Sequence, residues 1–587
     1  MSFSGDLLAM GASLRAARAL VLLVGFHALG PLLTLLPAAL GLGLWALVGG
    51  RFLPLAAVSA TVLLGMNLAR TAKRIRPPAA EPHSGTWATP ETEPELWRAV
   101  RELADAVGTR APDAIRIVPD ASVAVTEESG PLGTRPGPRI LYLGMPLLLG
   151  LDQARLRFLL ARELARHAPL GTRRGPAVGR GLAWLRGTVA ELERRAEERA
   201  HAAEGAGEEA EEERAAEAEA ENRVVEQAAA AGFHVRRAER PERDGALGRA
   251  LERLCARYGR FVLRVTLDGE RAHEYAADLA GARIVGRDAG SAALRETVVL
   301  AAFQNRLVGG YVGIGAPFGL MPLPGEMFGG LPRLLRGRPH DAARLRDDLP
   351  DEPGHPLSPR PALLDRVARL EILPDDGLGV AALEGLPAQD LLDNPIGSAV
   401  ELEEAVLAEG LLGMERLDWE ELVRVAMFHR SLREAAAVSE AAAAAGVPLP
   451  PLDPAHLPAA DPDGAGGGEP AEAPVIVLST RRILDAIDAD PGVLHRTVDR
   501  FPKSDEAGAA TGRAAREFAR TLAREALDTL VTVDLLVHEE AHWALSWSGP
   551  AEFHHRDPGL GDRIDEALDA AVADRPDTDP LRRLLPA

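Results

Sequence analysis

The 587-residue sequence is nearly devoid of cysteine and lysine. The single Cys255 excludes an internal disulfide framework and a cluster of cysteine metal ligands. Lysine occurs only at Lys73 and Lys503 beside abundant Ala, Arg, Gly and Pro, which is typical of a GC-rich genome rather than of a function. The formal charge of -20 leaves no basic excess. A general nucleic-acid-binding role is therefore disfavoured.

Two histidines are also missing from a place where a zinc-protease sequence would have them. Residues 162–166 read RELAR at the end of an amphipathic run, and residues 274–278 read EYAAD. In an HExxH helix, two neutral histidines one turn apart bind zinc, and the Glu between them activates water. A guanidinium group stays protonated and has no lone pair to offer. Arg162 and Arg166 would therefore repel a divalent cation from this position.

These two runs and their flanks resemble the HtpX and CAAX-prenyl-protease type of integral-membrane zinc metallopeptidase, a gluzincin family. The resemblance covers residues 15–376 and rests on the spacing of the motifs around residues 156–166 and 274–283. It implies that Glu163 holds the general-base position and Glu274 the position of the third zinc ligand. It also implies that Asp278 is the carboxylate that would orient a ligand histidine. The two arginines occupy the positions of the first two ligands.

A further landmark of this family is a His-Pro segment before a Leu-rich turn. Here residues 360–367 read RPALLDRV, with Arg360 in place of the histidine, although His355 and Pro356 just upstream compete for the alignment. Arginine thus replaces histidine at three family positions together. The pattern indicates that the metal chemistry has been abandoned.

We expect two fixed cations to replace the zinc ion in the geometry of the family. Arg162 and Arg166 would then point at Glu274 and Asp278, and ion pairs would preserve the contact between the two motif helices. Glu163 would be a vestigial general base, because zinc is what lowers the pKa of the attacking water. The sequence therefore predicts no bound cofactor and a catalytically inactive pseudopeptidase that binds or scaffolds.

A second motif leaves open the alternative of an active zinc-dependent metalloendopeptidase acting on membrane or misfolded proteins. Residues 538–542 read HEEAH, a literal HExxH with His538 and His542 as ligands and Glu539 as the base. Glu566 follows at a distance acceptable for a third ligand. The strand-like sequence from Trp543 onward predicts that the helix ends before the second histidine, which opposes this site.

A third arrangement shifts the metal site along the first motif. Glu163 and His167 are separated by one helical turn, and would bind zinc together with Glu274 and His273. The two flanking arginines oppose a cation there as well.

The N-terminal sequence predicts a transmembrane helical hairpin. Residues 19–50 carry no charged side chain, and residues 52–69 are again apolar after Arg51, enough for two spans of about 20 residues each. Basic residues lie outside the two runs, at Arg15, Arg18, Arg70, Lys73, Arg74 and Arg76. This bias predicts a multi-pass protein of the cell membrane with its main domain cytoplasmic. Its expected partners are the membrane itself and a protein partner or polypeptide substrate.

The rest of the chain is predicted to be α+β and predominantly helical. A helix at residues 94–107 precedes short strand-like runs at 115–118, 122–125 and 139–144, and the motif helix starts near its N-cap, Asp152. A small sheet followed by the motif helix is the order that a zincin-like domain requires. The predicted organisation is a hairpin at 1–76, a zincin-like domain at 93–376 with an acidic insertion at about 191–221, a helical accessory region at 383–447, a flexible linker at 448–474 and a C-terminal accessory domain at 475–587.

Overall fold

The computed structural model describes eight long stretches of the chain and some residues before them. The long stretches are 84–129, 136–168, 175–204, 246–351, 356–374, 383–448, 477–501 and 511–586; residues 17–28 and a few isolated N-terminal positions are also described. The chain divides into two compact units, the first formed by Met1–Ala301 with Ala343–Ser398, and the second by Ala302–Ala342 with Ala399–Ala587.

Helices dominate the described residues. In chain order they are α1 (residues 17–28), α2 (Pro94–Val107), α3 (Met145–Gly150), α4 (Gln153–Ala165), α5 (Gly175–Glu204), α6 (Ala246–Val285), α7 (Arg287–Leu307), α8 (Glu326–Gly329), α9 (Leu331–Gly337), α10 (Pro339–Asp347), α11 (Leu363–Glu371), α12 (Pro395–Val406), α13 (Glu409–Leu412), α14 (Trp419–Ala444), α15 (Thr480–Ala489), α16 (Gly492–Val498), α17 (Gly512–Val537), α18 (Leu560–Ala571) and α19 (Asp579–Leu584). Between α7 and α8, residues 308–318 form short π, α and 3-10 turns.

The first unit contains a four-stranded sheet in the order β1-β2-β4-β3. Its strands are β1 (Thr86–Ala88), β2 (Ala114–Val118), β3 (Val123–Ser129) and β4 (Pro136–Gly144). β2 runs parallel to β4, whereas β1 and β3 are antiparallel to their neighbours, so β3 forms one edge. Ile115 and Ile117 of β2 are buried with the period of two that is typical of a strand. The three predicted strands are confirmed, each with somewhat different ends.

Helix α4 carries the RELAR residues and begins where predicted. The side chain of Asp152 accepts a hydrogen bond of 2.8 Å from the backbone N–H of Arg155, which caps the helix. α4 is buried on nearly all sides and lies against α6, where Gly281 leaves room for Phe158: a Cβ at this glycine would stand 3.1 Å from the ring. Close packing of this kind fixes the direction of the last turn of α4.

The predicted transmembrane hairpin is wrong. Among the residues that the structure describes, no helix is both long and apolar enough to cross a membrane. In α1, Leu23 and Phe26 are buried in a protein core with residues of α5 and α6, and the hydroxyl of Tyr258 donates to the carbonyl of Leu22 at 3.3 Å. Hydropathy counts apolar residues without showing whether lipid or protein covers them, which is why the prediction failed. The prediction of a membrane partner contacted through two spans is therefore wrong as well. Most of the predicted second span, at 52–69, lies outside the described residues.

The second unit has a core built on the long helices α14 and α17. Val438 of α14, Leu527 and Leu530 of α17, and Leu568 of α18 are buried together. Two small sheets accompany this core: β5 (Leu320–Pro322) pairs in parallel with β6 (Glu415–Leu417), and β7 (Ala541–Ala544) pairs antiparallel with β8 (Glu552–His555).

Two predicted irregular segments fall largely beyond what the structure describes. Of the insertion at about 191–221, residues 191–204 continue helix α5, and the remainder lies outside the described residues. The linker at 448–474 lies outside them as well, apart from its first residue.

Candidate functional site

The last turn of α4 and the middle of α6 bring the two predicted motifs together in the first unit. α4 supplies Arg162 and Glu163, and Arg166 is its C-cap, while α6 supplies Glu274 and Asp278, which lie one turn apart on the same face. Arg162, Glu163, Glu274 and Asp278 are each at most 7% exposed. A buried charge is tolerated only when it is paired, so the partners of these groups decide what the site can do.

Arg162 occupies the centre of the site and binds three carboxylates at once. Its Nε donates to Asp278 Oδ1 at 2.8 Å, one terminal nitrogen donates to Glu274 Oε2 at 2.8 Å, and the other donates to Glu163 Oε2 at 3.2 Å. The guanidinium group therefore fills the space in which carboxylates from both helices converge. Charge-assisted hydrogen bonds of this kind are about twice as strong as neutral ones.

Arg166 closes the same group from the outer side. It donates to Glu163 Oε1 at 2.5 Å through a terminal nitrogen and approaches Glu274 Oε1 at 2.6 Å through its Nε. Its side chain is 25% exposed, whereas Glu163 is fully buried. Each oxygen of Glu163 and Glu274 is thus engaged by an arginine.

A third arginine, which sequence reasoning did not place in the site, completes the group. Arg366 of α11 is buried and donates twice to Asp278, from Nε to Oδ2 and from a terminal nitrogen to Oδ1, both at 2.8 Å. Arg366 lies six residues after Arg360, within the RPALLDRV segment that resembles the His-Pro landmark of the family. We call Arg162, Arg166 and Arg366 with Glu163, Glu274 and Asp278 the arginine cluster; its three positive and three negative charges balance.

The arginine cluster keeps Glu163 and Asp278 ionised. Burial alone raises the pKa of Glu163, but the positive charges of Arg166 and Arg162 outweigh burial and hold that pKa below its ordinary value. Burial likewise opposes ionisation of Asp278, and the hydrogen bond from Arg366 with the charge of Arg162 lowers its pKa. Burial disfavours the charged form of Arg162 too, but attraction to Asp278, Glu163 and Glu274 raises its pKa. A general base needs a pKa close to the working pH, and the lowered pKa of Glu163 does not meet this requirement.

Arg360, the other family-motif position at which arginine replaces histidine, lies near the cluster. The residue is exposed, and no ion pair within 4 Å joins it to another described residue. Loss of hydration and repulsion from Arg166 and Arg162 lower its pKa, against the attraction of Glu163. It therefore lies within electrostatic reach of the cluster without belonging to it. His355, which competed for this alignment, lies outside the described residues.

The edge strand β3 touches the cluster at one residue. The N–H of Val125 donates to Glu163 Oε1 at 3.4 Å, and the ring of His167 donates from Nε2 to the carbonyl oxygen of Val125 at 3.2 Å. Burial, followed by repulsion from Arg139, lowers the pKa of His167 to about 4, so the ring is neutral near pH 7. Its Nδ1 lies 3.7 Å from Glu127, which is a contact but not an ion pair at that pH. The backbone N–H and C=O of Val125 are therefore both hydrogen-bonded, to the side chains of Glu163 and His167.

The shifted metal site is not assembled. His167 is turned to Val125, whereas His273 makes its contact at 2.9 Å between Nε2 and the carbonyl oxygen of Arg166. Glu163 and Glu274 have their oxygens engaged by arginines. The two histidines thus face separate carbonyl oxygens, and the two glutamates face Arg162 and Arg166.

The literal HExxH in the second unit is divided between two elements. His538 is the C-cap of α17, and its Nδ1 lies 2.7 Å from the carbonyl oxygen of Asp534. Glu539 adopts a left-handed backbone with φ of 58°, and His542 lies on β7. Glu566 lies on α18 and lines an open cavity of about 390 Å³ with Arg563, Ala567, Pro580, Arg583 and Leu584. The two histidines do not share a helix face, which an HExxH zinc site requires.

No ready-made group of three or more His, Cys, Asp or Glu side chains able to hold a metal ion occurs in the part of the chain that the structure describes. Comparisons with protein-family models, curated proteins and solved structures find no match. They therefore give no support to the metallopeptidase resemblance, which continues to rest on the motifs and their spacing.

Proposed function

We propose that this protein is a pseudopeptidase, a metallopeptidase-like chain that binds or scaffolds other proteins and does not hydrolyse them. The observation that carries the proposal is the position of Arg162, whose guanidinium group bonds to Glu163, Glu274 and Asp278 together. In the resembling family, these carboxylates are the base, a zinc ligand and a ligand-orienting group. A fixed monovalent cation here satisfies them without supplying a Lewis acid or an activated water.

The state of Glu163 supports the same proposal. Both of its oxygens accept hydrogen bonds from arginines, and its pKa is lowered by their charge. A carboxylate in this environment lacks the proton affinity of a general base. Its single negative charge offsets part of the positive charge of Arg162 and Arg166.

The contact at Val125 also favours a role other than cleavage. A peptide substrate adds to a sheet edge by pairing with outward-facing N–H and C=O groups. At Val125, these groups are bonded to Glu163 and His167. A polypeptide would have to displace both side chains in order to pair at this point of β3.

A hydrolysis assay on the full chain tests the proposal. The parent, Glu163→Gln and Glu102→Gln are incubated with a fluorescently labelled unfolded polypeptide, with and without a zinc chelator. Glu102 is an exposed glutamate on α2 and serves as the matched control. We expect the three proteins to be indistinguishable and the chelator to have no effect.

Turnover by the parent that is lost in Glu163→Gln but kept in Glu102→Gln would overturn the proposal. Circular dichroism on each variant keeps the assay interpretable, because a folded Glu163→Gln protein is needed for the comparison.

A further inference from the structure

The β7–β8 hairpin presents one face to a helix and the other to solvent. Trp543 donates from its indole nitrogen to the hydroxyl of Ser431 on α14 at 3.2 Å, and its ring lies 5.0 Å from that of Phe553, its partner in the register. Ala541 on the same face is buried. Side chains alternate along a strand, so the next residue in each strand faces outward.

A pair of histidines occupies the outward face. His542 is directly opposite His554 in the antiparallel register, both are exposed, and their ring centroids lie 5.8 Å apart. Glu552 lies two residues from His554 on the same face, and its Oε2 is 3.4 Å from His554 Nε2. The residue opposite Glu552 is Ala544, whose side chain is a single methyl group.

We propose that His542, His554 and Glu552 form a surface site for a divalent transition-metal ion of the zinc class. Two ligands at about 2.0 to 2.1 Å from a tetrahedral ion lie about 3.4 Å apart, which is the separation of Glu552 Oε2 and His554 Nε2 here. Two imidazoles on one such ion have ring centroids roughly 5 Å apart, so the observed pair needs only a small approach. Imidazole with a carboxylate is a donor set that suits zinc, copper and nickel.

To complete the site, the side chain of His542 must move closer to His554 and Glu552, which already lie at the spacing of two zinc ligands. The three ligands are not already grouped about one point in the described residues, whereas the backbone that carries them is held by its packing on α14. An exposed imidazole turns about its side-chain torsions on the nanosecond scale, so binding has no packed core to disturb. A bound ion would link the two strands across the hairpin.

This site differs from the zinc site that the HExxH sequence suggests. It shares His542 but takes its other ligands from β8, and it leaves out His538, Glu539 and Glu566. With three protein ligands on an exposed surface, it is suited to binding an ion and to stabilising the hairpin.

Zinc titration of the full chain tests the site. Binding of Zn²⁺ is followed by isothermal titration calorimetry for the parent, His542→Ala, His554→Ala, Glu552→Gln and the control His538→Ala. We expect one saturable Zn²⁺ in the parent, affinity at least tenfold weaker in each histidine variant and a smaller loss in Glu552→Gln. His538→Ala should bind like the parent, because that ring points to the carbonyl oxygen of Asp534.

Unchanged affinity in both His542→Ala and His554→Ala, or no saturable Zn²⁺ in the parent, would overturn the proposal. An equal loss in His538→Ala would point to the HExxH residues and would overturn it as well. Glu163→Gln should leave this titration unchanged, so that the hairpin site and the arginine cluster are tested separately.

Discussion

The two regions that resemble zinc sites have opposite defects. The arginine cluster keeps the scaffold: a buried helix end, a second helix with two carboxylates one turn apart, and an edge strand beside them. It lacks the histidines. Residues 538–542 contain both histidines and the glutamate, but α17 ends at Val537 and His542 is already on a strand.

The comparison shows that residue type and rigid placement are separate requirements. A zinc ion needs lone pairs that converge within a few tenths of an ångström, and a continuous helix brings two side chains four residues apart together on one face, one turn from each other. In the arginine cluster, the carboxylates of the two helices still converge on one point, and they pair there with arginines. At residues 538–542, the two histidines and the glutamate of the motif are present, but His538 caps a helix and His542 lies on a strand.

Removing the central cation is expected to have the largest effect. Arg162→Ala leaves three buried carboxylates short of a partner, which should cost about 3 to 5 kcal/mol of unfolding free energy. Arg157→Ala on the same helix removes an arginine whose partner, Glu102, is half exposed, and should cost less than about 1 kcal/mol. Urea denaturation of the two variants makes the comparison. Similar losses in both would contradict a central role for Arg162.

The pH dependence of stability should reveal the buried, neutral His167. Burial and the charge of Arg139 lower its pKa to about 4 in the folded chain, against about 6.5 when unfolded. Between these values the unfolded chain binds the proton and the folded chain does not. Stability should therefore fall by up to about 3 kcal/mol as pH decreases from 6.5 towards 4.

Denaturation between pH 7 and pH 4.5 measures this slope. His167→Gln should flatten it, and His340→Gln, at an exposed histidine, should retain it. An equal slope in the parent and His167→Gln would show that another group is responsible.

The same substitution in both regions gives the most direct contrast of their glutamates. Glu163→Gln removes the negative charge between Arg162 and Arg166 and should cost about 2 kcal/mol, because hydrogen bonds to charged groups are lost. Glu539→Gln changes an exposed side chain beyond the end of a helix and should shift stability by less than about 0.5 kcal/mol. Thermal unfolding of both variants tests the contrast, and a larger loss in Glu539→Gln would reverse it.

The sequence predicted local structure and motif spacing more successfully than their surroundings. The cap at Asp152, three strands and a helix that ends before His542 follow from patterns only a few residues long. The pairing of Arg366 with Asp278 joins positions 88 residues apart, and no local pattern specifies it. The membrane hairpin failed for a related reason, since an apolar run does not show what covers it. The contact of Val125 with Glu163 likewise depends on how the sheet packs against α4.

Zinc content tests the central claim most directly, in a His542→Ala/His554→Ala background that removes the proposed hairpin site. Within it, the chain with its native arginines is compared with Arg162→His/Arg166→His, with Arg157→His as the control, after dialysis and metal analysis. The account predicts no zinc with the native arginines or in the control, and about one per chain in the double histidine variant. Stoichiometric zinc in the chain with the native arginines, lost on Glu274→Gln, would contradict it.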